Sequence, residues 1–212
     1  MQSQFEMADL VREMRDLVAR HRSGVFGVGA VIIGVYTPLD LAMGQMAGLP
    51  ELVVGLVLQY AFLARVLDAP AGRWRLGSLM GSEFLAGLGT LLGLLLLVVP
   101  GLLIALRWSL SAAFVVKDEQ RAYEALSSSR VATAACWRPL LTVFAIIFAI
   151  FGGGLVGTFA ANDVYNAVLP QWAWALAQNV WQALFSLASW LTIAGAYRLI
   201  SGRADELTEV FI

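Results

Sequence analysis

The sequence predicts an all-α, polytopic membrane bundle: six transmembrane helices, an N-terminal amphipathic helix and an interfacial helix on the cytoplasmic side. Three observations predict it. First, 59% of the 212 residues are hydrophobic and only 14% are charged, against about 25% charged in a soluble domain; mean hydropathy is +0.76. The deficit of charge runs the length of the chain, so residues 1–212 read as one membrane domain, with a helix at 3–22, a bundle at 25–199 and a cytoplasmic tail at 200–212. Second, Phe84 to Val116 carries a single charge, Arg107, in 33 residues. As one helix it would be about 50 Å long, well over the roughly 30 Å hydrocarbon core of a bilayer. Pro100-Gly101 near its middle is a natural break, because Pro removes a backbone donor and Gly permits a turn. Third, with six spans every Lys and Arg except Arg107 falls on one side. Cytoplasmic loops carry the positive excess, which places both termini inside a bacterial inner membrane. A single crossing by Phe84 to Val116 would move Lys117 to Arg138 to the side opposite Arg65 to Arg75.

The elements follow in order. Ser3 and Glu6 fit a capping box at the start of helix 3–22. Met7, Leu10, Val11, Met14, Leu17 and Val18 then recur at helical steps, with charge largely elsewhere around the helix. Such a helix lies on the membrane surface or packs on the protein's own cytoplasmic face. Val25 to Ala47 is the first span; Ala30 and Gly34 allow close helix contact, and Pro38 and Asp40 place its end near Tyr36 with the rest at the interface. Gly48-Leu49-Pro50 is a turn, and Glu51 to Leu67 the second span. A loop from Ala69 to Gly77 follows, with Trp74 at headgroup level beside Arg73 and Arg75. Spans three and four are about Ser82–Val99 and Gly101–Val116. Lys117 to Ala135 is polar and free of helix breakers, hence the cytoplasmic interfacial helix. The fifth span runs from Trp137 to about Gly157, a polar loop holds Asn162, Asp163 and Asn166, and Trp172 to Tyr197 is the sixth span.

Several chemistries are excluded by residue count. One cysteine, Cys136, allows no internal disulfide, and one His with one Cys leaves no conventional zinc set. The only histidine, His21, is far from Ser127-Ser128-Ser129, so no Ser-His-acid triad is expected. The glycine runs do not precede a GK[ST] sequence and are packing features. No cofactor, metal, catalytic residue or nucleic-acid partner is expected.

The binding candidates are polar groups inside spans. Arg107, costly at that depth, is expected to pair with Asp40 at similar depth, or with Asn162 or Asp163, or to contact a lipid phosphate. Gln178, Gln182, Ser186 and Ser189 repeat at helical spacing on the sixth span, for interhelical hydrogen bonds or a polar pathway. Asp40 and Glu83 are the only groups near what an intramembrane enzyme would need. Gly89-xxx-Gly93 and Gly153-xxx-Gly157 suit helix–helix dimers.

Pro100, Gly101, Arg107, Glu119, Ala125, Leu126, Ser129 and Trp137 together resemble a motif of the glycerophosphodiester phosphodiesterase membrane-domain family and related bacterial inner-membrane proteins. The resemblance covers about 40 residues closely and the six-span layout loosely. In the family's enzymes this domain precedes a soluble catalytic barrel, which is expected to be absent here. The resemblance implies a membrane module without phosphodiesterase activity. The sequence thus leads to a non-catalytic module that binds lipid, expected to be anionic, or a partner protein or second copy. The rival is a small transporter or lipid-moving protein using an Arg107-centred polar site. A water-accessible cavity linking Arg107 to the sixth-span stripe would favour transport.

Overall fold

The computed structural model describes residues 5–70, 74–134, 136–151 and 170–210. Among these the regular structure is entirely helical: α1 (Met7–Arg20), α2 (Arg22–Met43), a 3-10 turn (Gly44–Ala47), α3 (Gly48–Val66), α4 (Leu76–Leu96), α5 (Val98–Trp108), α6 (Ser111–Lys117), α7 (Ala122–Ala134) and α9 (Gln171–Val210), with α8 covering Trp137–Phe151. Five stretches are long and apolar enough to cross a membrane: α2, α3, α4, Val99–Lys117 across α5 and α6, and Gln171–Gly202 of α9. A sixth arises only if α7 and α8, bent by 103° at their junction, are taken together. The expected span at 137–157 is described only as far as Phe151. Asn162, Asp163 and the Gly153-xxx-Gly157 pair lie outside the described residues, as does Ser3.

α1 packs on the protein rather than facing only lipid. Leu10 and Leu17 are fully buried, Leu10 and Met14 lie against Gly195 of α9, and Glu13 pairs with Arg198 of α9 at 3.2 Å and with Arg20 at 3.5 Å. Its N-cap is Glu6, whose N–H donates to Asp9 Oδ2 at 3.1 Å; Asp9, three residues on, supplies the reciprocal acceptor of a capping box.

α2 does not end near Tyr36. It continues through Pro38 to Met43. The proline forfeits one backbone hydrogen bond, but the turns around it are held from across the bundle: Tyr36 Oη donates to Glu51 O at 2.8 Å and Asn179 Nδ2 donates to Asp40 Oδ2 at 2.7 Å. Gly55 leaves the room Tyr36 needs, since a Cβ there would lie 2.9 Å from the hydroxyl. The buried face of α2 is Val25, Gly29, Ile32 and Tyr36. Ala30 and Gly34 fall on the outer face, and the close helix contact expected of them is made instead by Gly29 against Leu187.

α4 and α5 form the tightest helix pair, and their turn is displaced from the expected break. Leu97 takes the extended conformation (φ −164°, ψ 142°), and Pro100-Gly101 falls within the first turn of α5. Proline is tolerated there because first-turn N–H groups lack helical partners anyway. Gly101 serves the crossing: a Cβ on it would lie 2.5 Å from the Leu94 side chain, and one on Gly93 would lie 2.7 Å from Gly101 Cα. A Cβ on Gly89 would meet the Trp108 ring at 2.3 Å. The Gly89-xxx-Gly93 surface is therefore used up inside the chain, closing the hairpin, and is not free for a dimer.

The loops rich in Lys and Arg converge at one end. Lys117 Nζ donates to Asp68 O at 2.8 Å, Tyr197 Oη donates to Asp118 Oδ1 at 2.6 Å, and Arg75 pairs with Glu119 at 3.6 Å. Asp68 (φ 49°) and Glu119 (φ 52°) both occupy the left-handed region, a strained backbone for residues with a Cβ that these ties hold in place. The core is concentrated in this basic half. Leu63, Val66, Leu79, Leu110, Val115, Val116 and Leu140 are sealed, and all lie within about two turns of the basic end of their helices.

Candidate functional site

Arg107 sits at the end of α5, within the Val99–Lys117 stretch, and its side chain is exposed. Among the described residues it has no ion-pair partner, and Asp40 is engaged elsewhere, so the expected Arg107–Asp40 pair does not form. What Arg107 contributes is its backbone carbonyl. The α5–α6 junction breaks the helical ladder, and buried Ser129 of α7 repairs it: its hydroxyl donates to Arg107 O at 2.7 Å and accepts from Leu110 N–H at 3.1 Å. Thr133 adds a second donor to Arg107 O at 3.2 Å. Ala125 and Leu126 are buried on the same face of α7. Glu119 holds Arg75, Gly101 closes the hairpin, Pro100 lies in the first turn of α5 and Trp137 begins α8 with the Arg138 guanidinium over its ring at 5.4 Å. The residues that carry the sequence resemblance are thus spread over the hairpin, the kink and the charged turn as architectural contacts.

The polar stripe of α9 is also split. Gln178 and Gln182 face outward and Ser186 is half-buried. Asn179, between them, is the inward residue. It is 2% exposed and reaches Asp40, with Thr37 Oγ1 at 3.4 Å and its own helix carbonyl at Ala175 as further partners. Glu51 lies beside Asp40. This knot ties α2, α3 and α9 at the end opposite the basic loops.

A second polar group lies in a cavity of about 550 Å³ between the α4–α5 hairpin and α3, α8 and α9, open to the outside along exposed Leu91 and Leu94. Its walls are Ala86, Gly87, Leu91 and Leu94 from α4, Ala105 and Trp108 from α5, Phe144 from α8, and Trp190 and Ile193 from α9. Its polar members are Gln59, Glu83, Thr90, Ser109 and Ser189. Gln59 Nε2 donates to Glu83 Oε1 at 3.1 Å. Four of these come to one level for a simple reason. Gln59 is six residues from Arg65, Glu83 eight from Arg75, Ser109 eight from Lys117 and Ser189 nine from Arg198. At 1.5 Å per residue each lies about 9–14 Å in from the basic end. Thr90, Leu91 and Leu94 continue the cavity along α4 away from that end.

Of the sequence-derived binding residues, Arg107, Asp40, Gln178, Gln182 and Ser186 all lie off this cavity; only Ser189 of the α9 stripe lines it. In the sequence Glu83 stands out only as an acid inside a span, and Gln59 does not stand out. Similar offsets, six to nine residues, from four basic loops are the signal that the sequence carries. Among the described residues no group of His, Cys, Asp and Glu could hold a metal ion. No protein-family model, curated protein or solved structure matches the chain.

Proposed function

We propose that this chain is a non-catalytic membrane module that holds a single membrane lipid between the α4–α5 hairpin and the rest of the bundle. The observation that carries the reading is the cavity: large, apolar along most of its walls, flanked by membrane-crossing helices and supplied with polar groups at one level. Ligand sites are commonly concave, largely apolar and fitted with a few orienting polar groups. The resemblance to the phosphodiesterase membrane domain agrees with a module of this kind. The convergence of Lys and Arg supports a bacterial inner-membrane location with both termini cytoplasmic, and anionic lipid gathering around that basic end.

The lipid-moving reading keeps a narrower form. The cavity runs from Glu83 to Leu94, about 17 Å along α4 at helical rise, roughly half a hydrocarbon core. An Arg107-centred pathway is not retained, because neither Arg107 nor Gln178 and Gln182 line the cavity.

A photo-crosslinking residue at Thr90 tests the reading. After extraction into lipid-free detergent, illumination should still join phospholipid to Thr90 and not to the same group at Leu96, which is 80% exposed on the hairpin tip. Equal adducts at both positions, or none at either, would sink it.

A further inference from the structure

We propose that the polar level of the cavity recognises a protonated primary amine, carried by an aminophospholipid headgroup; this rests on the lipid reading above and adds the headgroup to it. Glu83 Oε1 accepts the Gln59 amide at 3.1 Å, while its second oxygen makes no hydrogen bond among the described residues. A carboxylate can accept about four such bonds. Among the described residues no Lys, Arg or His lines the cavity, and no ion pair involves Glu83. A carboxylate inside a membrane span is costly unless a cation or several donors accompany it, and here the protein supplies one amide. A small cation with several N–H donors would satisfy it. A primary ammonium offers three, whereas a trimethylated one offers none and a glycerol head offers hydroxyls without charge.

The walls choose the source of that ammonium. Beyond Glu83 along α4 the lining turns to Leu91 and Leu94, faced by Phe144 and Trp190. That surface suits an acyl chain and has nothing to hold a small soluble amine. The acid sits about 12 Å in from Arg75, so a bound headgroup is drawn below the basic rim.

The experiment is a competition read by native mass spectrometry on the full chain, purified in lipid-free detergent. The added probes are phosphatidylethanolamine, its N-trimethyl analogue and phosphatidylglycerol with identical acyl chains, and free ethanolamine. The primary-amine lipid should be retained about tenfold over the other two lipids, the equivalent of one hydrogen bond to a charged group. Free ethanolamine should not compete. Glu83→Gln keeps the side chain's size and should erase the preference while leaving total retention intact. A preference that survives in Glu83→Gln, an absence of preference in the wild-type chain, or effective competition by free ethanolamine each overturns the headgroup assignment. Gly87→Phe separates this from failure of the lipid reading itself. No atom lies within 4 Å of a Cβ on Gly87, so the ring enters the cavity without a backbone clash and should abolish retention of all three lipids. Undiminished retention there would overturn the cavity reading and the headgroup with it.

Discussion

Near the basic loops, Leu63, Leu79, Leu110 and Val115 are completely sealed, and side chains from separate helices clamp one another. Farther along the same helices the picture reverses. At the hairpin turn Leu95, Leu96 and Leu97 are 75%, 80% and 68% exposed, and α4 is the least buried of the membrane-crossing helices. Composition does not separate the two regions, since both are rich in Leu and Val. In a bilayer an exposed leucine sacrifices no hydrophobic burial, because lipid tails are as apolar as its neighbours. Packing there is optional, and close contact has to be justified by backbone proximity or hydrogen bonds. The basic half has both. In the far half the Asn179–Asp40 knot ties α2, α3 and α9, but the hairpin itself has only a glycine seam and a cavity, which is where a ligand finds room.

The largest effect should come from the seam. Gly101→Leu places a side chain where even a Cβ meets Leu94 at 2.5 Å, and overpacking of this kind costs about 1–3 kcal/mol and occasionally more. We expect a large drop in the unfolding temperature of the detergent-solubilised protein. Gly27→Ala and Gly34→Ala, with nothing within 4 Å of either Cβ, should hold or gain stability by about 0.5–1 kcal/mol. A similar loss at all three positions would show that the seam has no special role.

Next in size is Ser129→Ala. It strands the buried Leu110 N–H and removes a donor from Arg107 O, a loss of about 1–3 kcal/mol for an unsatisfied buried group. Thermal unfolding beside Ser201→Ala provides the check, since among the described residues Ser201 bonds only within its own helix. Parity between the two would remove the kink clamp from the account.

Smaller again is the loss of the Glu13–Arg198 tie. The pair is partly exposed, and such pairs contribute about 0–1 kcal/mol. The substitution Glu13→Ala should leave unfolding nearly unchanged while making α1 more accessible to protease. A loss as great as that of Ser129→Ala would mean that the ion pair, and not Leu10 and Leu17, holds α1 to the bundle.

The smallest change is expected at Arg107→Ala, within about 0.5 kcal/mol as for surface substitutions without special contacts. Arg12→Ala is the matched exposed control. A markedly greater loss at Arg107 would restore a paired, buried role for its guanidinium.

Much of the architecture was legible because charge and hydropathy act over whole segments. The helical class, the hairpin within Phe84 to Val116 and the convergence of basic loops need only the placement of Lys, Arg and long apolar runs. The details that went astray are set by neighbours. Pro38 reads as a stop, yet Asn179 and Glu51 hold the turns around it. Pro100-Gly101 reads as the bend, yet Pro is equally at home in the first turn after one, and the bend falls at Leu97. Gly89 and Gly93 read as a docking surface, and only the return path of α5 shows that Trp108 and Gly101 already occupy it. At the site, Arg107 drew attention through its charge, whereas Gln59 and Glu83 become a pair only when α3 and α4 are aligned at their basic ends.

The most direct test of the contrast between a packed half and a ligand-holding half is a count of lipids retained per chain in lipid-free detergent, for the wild type and for Gly87→Phe. The account predicts one phospholipid on the wild-type chain and none on the variant, with unfolding temperature no lower in the variant. Equal retention by both chains would contradict it.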